Sequence, residues 1–200
     1  MNKLLLIAFL VSSSLVFSQK AKVTKGDWSD LKGITEYNVV FDYSNLEIPK
    51  FDSEEEFLKD KMAKREEKEP GSGEKFKESW LSDREEFYEP RFIETFNDRY
   101  KDNLVKVDKD LESAEYTMKI HTTMIYPGYN VGVVRHNSKI EVTLSVYKND
   151  SPENIIFSAD YTKIQGQGNG GFDFNSGQRI ADAYIIFARA LTKHMYKNTK

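Results

Sequence analysis

Between residues 115 and 164 the chain repeats the two-residue period of a strand with one dry face. Tyr116, Met118 and Ile120 alternate with Thr117, Lys119 and His121, and Ile140, Val142, Leu144 and Val146 alternate with Glu141, Thr143, Ser145 and Tyr147. Residues two apart share a face of a strand, so each segment carries one apolar and one wet face, the habit of an antiparallel sheet. Residues 104–107, 131–147 and 154–164 are strand-like too, and Pro127-Gly128 and Asn149-Asp150-Ser151-Pro152 supply reversals. The period then changes to that of a helix over residues 176–196, where Ile180, Tyr184, Phe187, Leu191 and Met195 form one stripe. Asn175 is placed to cap that helix, with Gln178 reaching back. A sheet with one apolar face and a helix with one apolar stripe bury each other.

The first half supplies the remaining elements. Tyr37, Val39 and Phe41 alternate with Asn38, Val40 and Asp42 as a strand that fades at Ile48-Pro49. Ser53 and Glu56 make a capping box for a charged helix over 53–68, in which only Phe57, Leu58 and Met62 can face a core. Residues 69–73, Glu-Pro-Gly-Ser-Gly, end it. A second helical stretch carries Phe76, Trp80, Leu81 and Phe87, and after Pro90 it resumes with Phe92, Ile93, Phe96 and Tyr100, an aromatic stripe at i, i+4 spacing. The pattern predicts an α+β fold, a two-layer sandwich with a mixed, largely antiparallel sheet of about five strands and helices packed on one face. Residues 35–200 read as a single domain, and residues 19–34 as a mobile leader or a strap across the body.

The N-terminus carries an address. A short basic start with Lys3 leads into an apolar run from Leu4 to Leu10 that continues loosely to Phe17. Such a run matches a signal-peptide core better than a membrane span, with cleavage expected near Ser18-Gln19. Export to the periplasm or beyond is therefore expected, with no membrane span after cleavage. The chain has no cysteine, so thiol nucleophiles, thiolate metal sites, disulfides and a lipidated cysteine are all excluded. Its 29 basic and 32 acidic residues give a net charge of −3, and no basic block appears, which argues against a nucleic-acid partner.

No complete catalytic set is visible. His121, His136 and His194 have no carboxylate or second histidine at ligand spacing, so no metal is expected. The nucleophile-elbow pattern G-x-S-x-G is absent. The loop Gln165-Gly166-Gln167-Gly168-Asn169-Gly170-Gly171 sits between a strand and a helix, as phosphate loops do, but lacks the lysine and serine or threonine ending of a P-loop. Backbone geometry and close packing explain its glycines better than a nucleotide does, and no cofactor is expected. If a small ligand or glycan is bound, the candidate cleft is this loop with Phe172 and Asp173, giving Gly166, Gly168, Asn169, Phe172 and Asp173 as ligand-loop candidates; for Asp173 a capping or loop-closing role is the favoured reading. Tyr126 and Tyr129 flank Pro127-Gly128 and are expected on one hairpin tip, where a tyrosine offers flat apolar area with a polar end. With Asn130 they are the partner-binding candidates; the equal alternative is a loop that folds its tyrosines back onto the sheet.

The signal stretch, the hairpin at 127–134, the Gly166 to Gly171 loop and the helix start Arg179-Ile180-Ala181-Asp182-Ala183-Tyr184 together resemble small exported Bacteroidetes proteins. The element order resembles that of envelope accessory domains such as the ABC-transport auxiliary lipoproteins and the TolB N-terminal domain. The likeness spans residues 36–197, departs from the lipoproteins in having no cysteine to lipidate, and brings no catalytic residues. It implies a non-enzymatic binding or assembly role with a protein partner in the cell envelope; the alternatives are a small-ligand or glycan-binding domain and, third, a hydrolase.

Overall fold

The computed structural model describes residues 21–100, 104–131, 134–166 and 176–199. Its elements are β1 (Ala21–Lys25), a 3-10 turn (Trp28–Leu31), β2 (Glu36–Asp42), α1 (Glu54–Glu66), α2 (Ser72–Asp83), a π-turn (Arg84–Tyr88), α3 (Glu89–Arg99), β3 (Lys106–Asp108), β4 (Tyr116–Tyr126), β5 (Tyr129–Val131), β6 (Val134–His136), β7 (Ser138–Lys148), β8 (Ile155–Gly166) and α4 (Ser176–Asn198). A six-stranded sheet runs in the order β1-β8-β7-β4-β2-β3, and β5 and β6 form a separate two-stranded ribbon. β2 is parallel to both β3 and β4, while β4, β7, β8 and β1 pair antiparallel. This is an α+β protein with an open, mixed sheet. Among the described residues no helix is long and apolar enough to cross a membrane.

The alternation seen in sequence sets the register. Met118, Ile120 and Ile125 of β4 face Val146, Leu144 and Ile140 of β7, which in turn pair with Phe157, Ala159 and Ile164 of β8. All nine are buried, with α4 packed across β7 and β8. The other face is polar: Thr143 donates to Asp160 at 2.9 Å and Lys119 pairs with Asp42 at 2.7 Å. The α4 stripe Ile180, Tyr184, Phe187, Leu191 and Met195 is buried throughout. Phe187 meets Phe92 of α3 at 5.3 Å and Tyr161 of β8 at 5.0 Å, so one ring ties both helices to the sheet.

The structure corrects three expectations. Residues 21–25, read as part of a mobile leader or strap, add the sixth strand by pairing with β8, and Trp28 follows onto Phe157 at 4.4 Å. Nothing local marks β1, because its stability comes from a partner more than a hundred positions away. The aromatic helix stripe also shifts. Leu81 is 39% exposed and Phe87 is only partly buried, while Tyr88 is 1% exposed and stacks on Tyr184 at 5.3 Å. The wider π-turn at 84–88 causes this, rotating the buried face so that residues 80, 88, 92, 96 and 100 all point inward. The strand read over 131–147 is divided, with β6 in the ribbon and β7 in the sheet. The cap of α1 is close to expectation: Ser53 Oγ accepts from the Glu56 amide at 3.2 Å, but the Glu56 carboxylate accepts from Asp52, one residue earlier than a capping box requires.

Candidate functional site

The hairpin after β4 does not put both tyrosines on its tip. Tyr126 ends β4, where it pairs with Lys139 and is half-buried at the base of the ribbon. Gly128, at φ 66°, turns the chain where a Cβ would strike the His136 carbonyl. Tyr129 then starts β5 and is 40% exposed, its ring stacked on the His136 ring of β6 at 4.5 Å and 22°. Val134, paired with Val131 in the same ribbon, is 48% exposed. Asn130 faces a small pocket beneath the ribbon. The structure therefore keeps Tyr129 and Asn130 together and moves Tyr126 away from the tip.

Of the glycine-loop candidates, Gly168, Asn169, Phe172 and Asp173 lie outside the described residues, as does the Asn175 cap. Gly166 is described and closes β8 against α4: a Cβ there would meet the Arg179 carbonyl and lie 2.8 Å from the Ala183 amide. That is the close-packing role expected for a glycine at this end of the strand.

Two adjoining pockets open next to the start of α4. The larger, about 600 Å³, lies between the end of α1, α2 and Ser176, with Arg65, Lys68, Lys75, Phe76, Trp80 and Asp83 in its walls. The smaller, about 220 Å³, runs from Phe57, Lys61 and Arg65 to Tyr129, Asn130 and Arg179. Arg65, Phe76 and Ser176 belong to both. The α1–α2 wall is held locally. The Glu66 carboxylate accepts from the Gly71 and Gly73 amides at 2.8 and 3.1 Å, which satisfies the first turn of α2. A Cβ on Gly73 would sit 2.8 Å from the Met62 carbonyl, so α1 and α2 approach closely. Behind the pocket, Glu54 accepts from Trp80 Nε1 at 2.5 Å and from Arg84, whose guanidinium lies 4.6 Å from the centre of the Tyr43 ring.

Asp83 is the acid at the inner end of the larger pocket. It is 3% exposed and presses so closely on Gly177 in the first turn of α4 that a Cβ at Gly177 would overlap its carboxyl. Burial, with the nearby Glu86 charge adding, pushes Asp83 up to about 6. A carboxyl raised on folding binds its proton more tightly in the folded chain, so its contribution to stability falls as pH rises from about 4 to about 6. Asp83→Asn is expected to flatten that part of the curve and to leave the variant the more stable chain at pH 7. Urea denaturation at pH 4.5 and pH 7 checks this; an unchanged difference between the two pH values would refute it.

A buried hydroxyl group lies deeper. Tyr184 and Thr122 share a 2.6 Å hydrogen bond, and burial raises Tyr184, Tyr43 and Tyr88 above the ordinary tyrosine range. The three histidines are dispersed: His121 Nε2 lies 2.9 Å from the Ser44 carbonyl, His136 stacks on Tyr129, and His194 Nδ1 lies 3.0 Å from the Tyr161 hydroxyl. Among the described residues no three metal-ligating side chains converge. Reading by sequence missed Arg65, Asp83 and Tyr88. The available signal was the run Trp80, Arg84, Tyr88, where a charge interrupts an i, i+4 aromatic ladder.

The fold and pockets define an open α+β sandwich with a groove between a helical hairpin and a β-ribbon. No protein-family model, no curated protein and no solved structure matches the chain.

Proposed function

We propose that the chain is an exported, non-enzymatic domain of the cell envelope that binds a protein partner through the β5–β6 ribbon. The observation that carries the reading is Tyr129, 40% exposed yet held flat by its stack on His136, with exposed Val134 in the same ribbon. An aromatic side chain already fixed in place loses little freedom on binding and buries a large area, the profile of an interface anchor. The apolar run at residues 4–17 supports export. Tyr129→Ala is expected to weaken partner binding by about thirtyfold, in line with the loss of about 2 kcal/mol usual for such an anchor. Affinity capture from an envelope fraction, with the wild-type and Tyr129→Ala proteins side by side, checks it. Equal retention of the same proteins by both, or none above a control domain, would remove the reading.

A small-ligand role is the second reading, favoured by the adjoining pockets, whose combined size suits an organic molecule. Its site on this reading is the groove along α2 and Ser176.

A further inference from the structure

We propose that the pocket between α1, α2 and the start of α4 binds a small organic oxyanion, a carboxylate or phosphoryl group carried on an apolar body, with Arg65 as its anchor. This goes beyond the partner reading and does not depend on it.

Arg65 projects from the last turn of α1 and lies with its guanidinium 3.8 Å from the centre of the Phe76 ring of α2. Its guanidinium makes one hydrogen bond among the described residues, from Nη1 to the Lys61 carbonyl at 3.4 Å, a long one. No carboxylate of the described residues lies within ion-pair distance of it, whereas Arg84 in the same helical hairpin is matched by Glu54. A guanidinium carries five donors in a planar fork, so most of them remain for a ligand. Burial also holds the Arg65 group below the ordinary arginine range, the mark of a cation only partly solvated.

The surroundings agree in sign and shape. Lys68 and Lys75 flank Arg65 in the larger pocket against Glu69 and Asp83; the smaller pocket adds Lys61, which pairs with Asp60 at 3.3 Å, and Arg179, which donates to the Pro127 carbonyl at 3.4 Å, with no acidic residue in its described lining. Ser72 and Ser79 place hydroxyls on the same wall, and Phe76 and Trp80 give it apolar surface. An excess of positive charge over an aromatic floor selects an anion with an apolar portion. The fork of Arg65, stacked and therefore fixed in plane, suits two oxygens of one group.

Trp80 makes the site visible. The chain has two tryptophans, and the other, Trp28, packs on Phe157 and His194 away from this pocket. In a Trp28→Phe background, fluorescence titration with benzoate and with phenyl phosphate, against neutral benzamide and benzyl alcohol, reads binding at Trp80. We expect saturable binding of at least one anion, weaker at high salt, with the neutral analogues at least about tenfold poorer. Arg65→Gln should weaken the anion about tenfold or more, and Arg65→Lys, which keeps the charge and loses the fork, should weaken it as well. Preference for phenyl phosphate assigns a phosphoryl ligand and preference for benzoate a carboxylate; either supports the site. Equal affinity for charged and neutral analogues, no binding at all, or unchanged anion affinity in a folded Arg65→Lys protein would overturn it.

Discussion

Phe187→Ala is expected to lower the unfolding free energy by about 3–5 kcal/mol, the cost of removing a fully buried aromatic ring from a close-packed core. Phe187 is 0% exposed and meets Phe92 of α3 and Tyr161 of β8, so its loss opens a cavity where three elements converge. The neighbours cannot close it easily, because Phe92 is itself packed against Phe96 and Phe41, and Tyr161 against His194. The urea midpoint should fall with little change in slope, since the surface exposed on unfolding barely alters. Leu81→Ala, at a position 39% exposed, serves as the control and should stay within about 0.5 kcal/mol. A Phe187→Ala loss under about 1 kcal/mol would mean that α4 is not packed as described.

Gly166→Ala is expected to cost about 3 kcal/mol, the upper end for overpacking, although it adds one methyl group. The new Cβ would meet the Arg179 carbonyl and the Ala183 amide, both backbone of α4, and the Ser138 hydroxyl at 2.5 Å, which itself donates to that carbonyl. A flexible side chain could move aside; helix backbone cannot without shifting the first turns of α4. Hydrogen exchange should therefore quicken at residues 176–184 more than at the far end of the helix. Gly33→Ala separates sterics from backbone strain, since Gly33 has φ 85° but open space around its would-be Cβ. Its cost should stay near 1 kcal/mol. If the two variants were equal, close packing at Gly166 would not be the reason for the glycine.

The clearest sequence signals were those with period and length. The alternation in β4 and β7 and the α4 stripe put the same residues in the core that the structure buries, because burial on one face requires that repeat and a one-residue slip would reverse it. The candidate site was less legible. Tyr129 and Asn130 stand where a hairpin was expected, but Tyr126 pairs with Lys139 of β7 and so belongs to the six-stranded sheet, not to the ribbon. Arg65 looked like one charge in a solvated helix, and nothing near it in sequence names Phe76, Ser176 and Arg179 as its neighbours. Asp83 carries no signal of its own in the sequence, and its burial comes from the start of α4 packed against it.

What the sequence by itself determined was which residues go inside: the hydrophobic periods encode the faces of strands and helices, and burying those faces against one another yields an α+β sandwich. The tertiary structure alone decided that residues 21–25 join the sheet at β8, that a π-turn brings Tyr88 inward, and that Arg65 and Asp83 share a pocket. These rest on contacts between segments far apart in the chain. Periodicity reports which face of an element is apolar, but it carries no information about which distant element will cover that face.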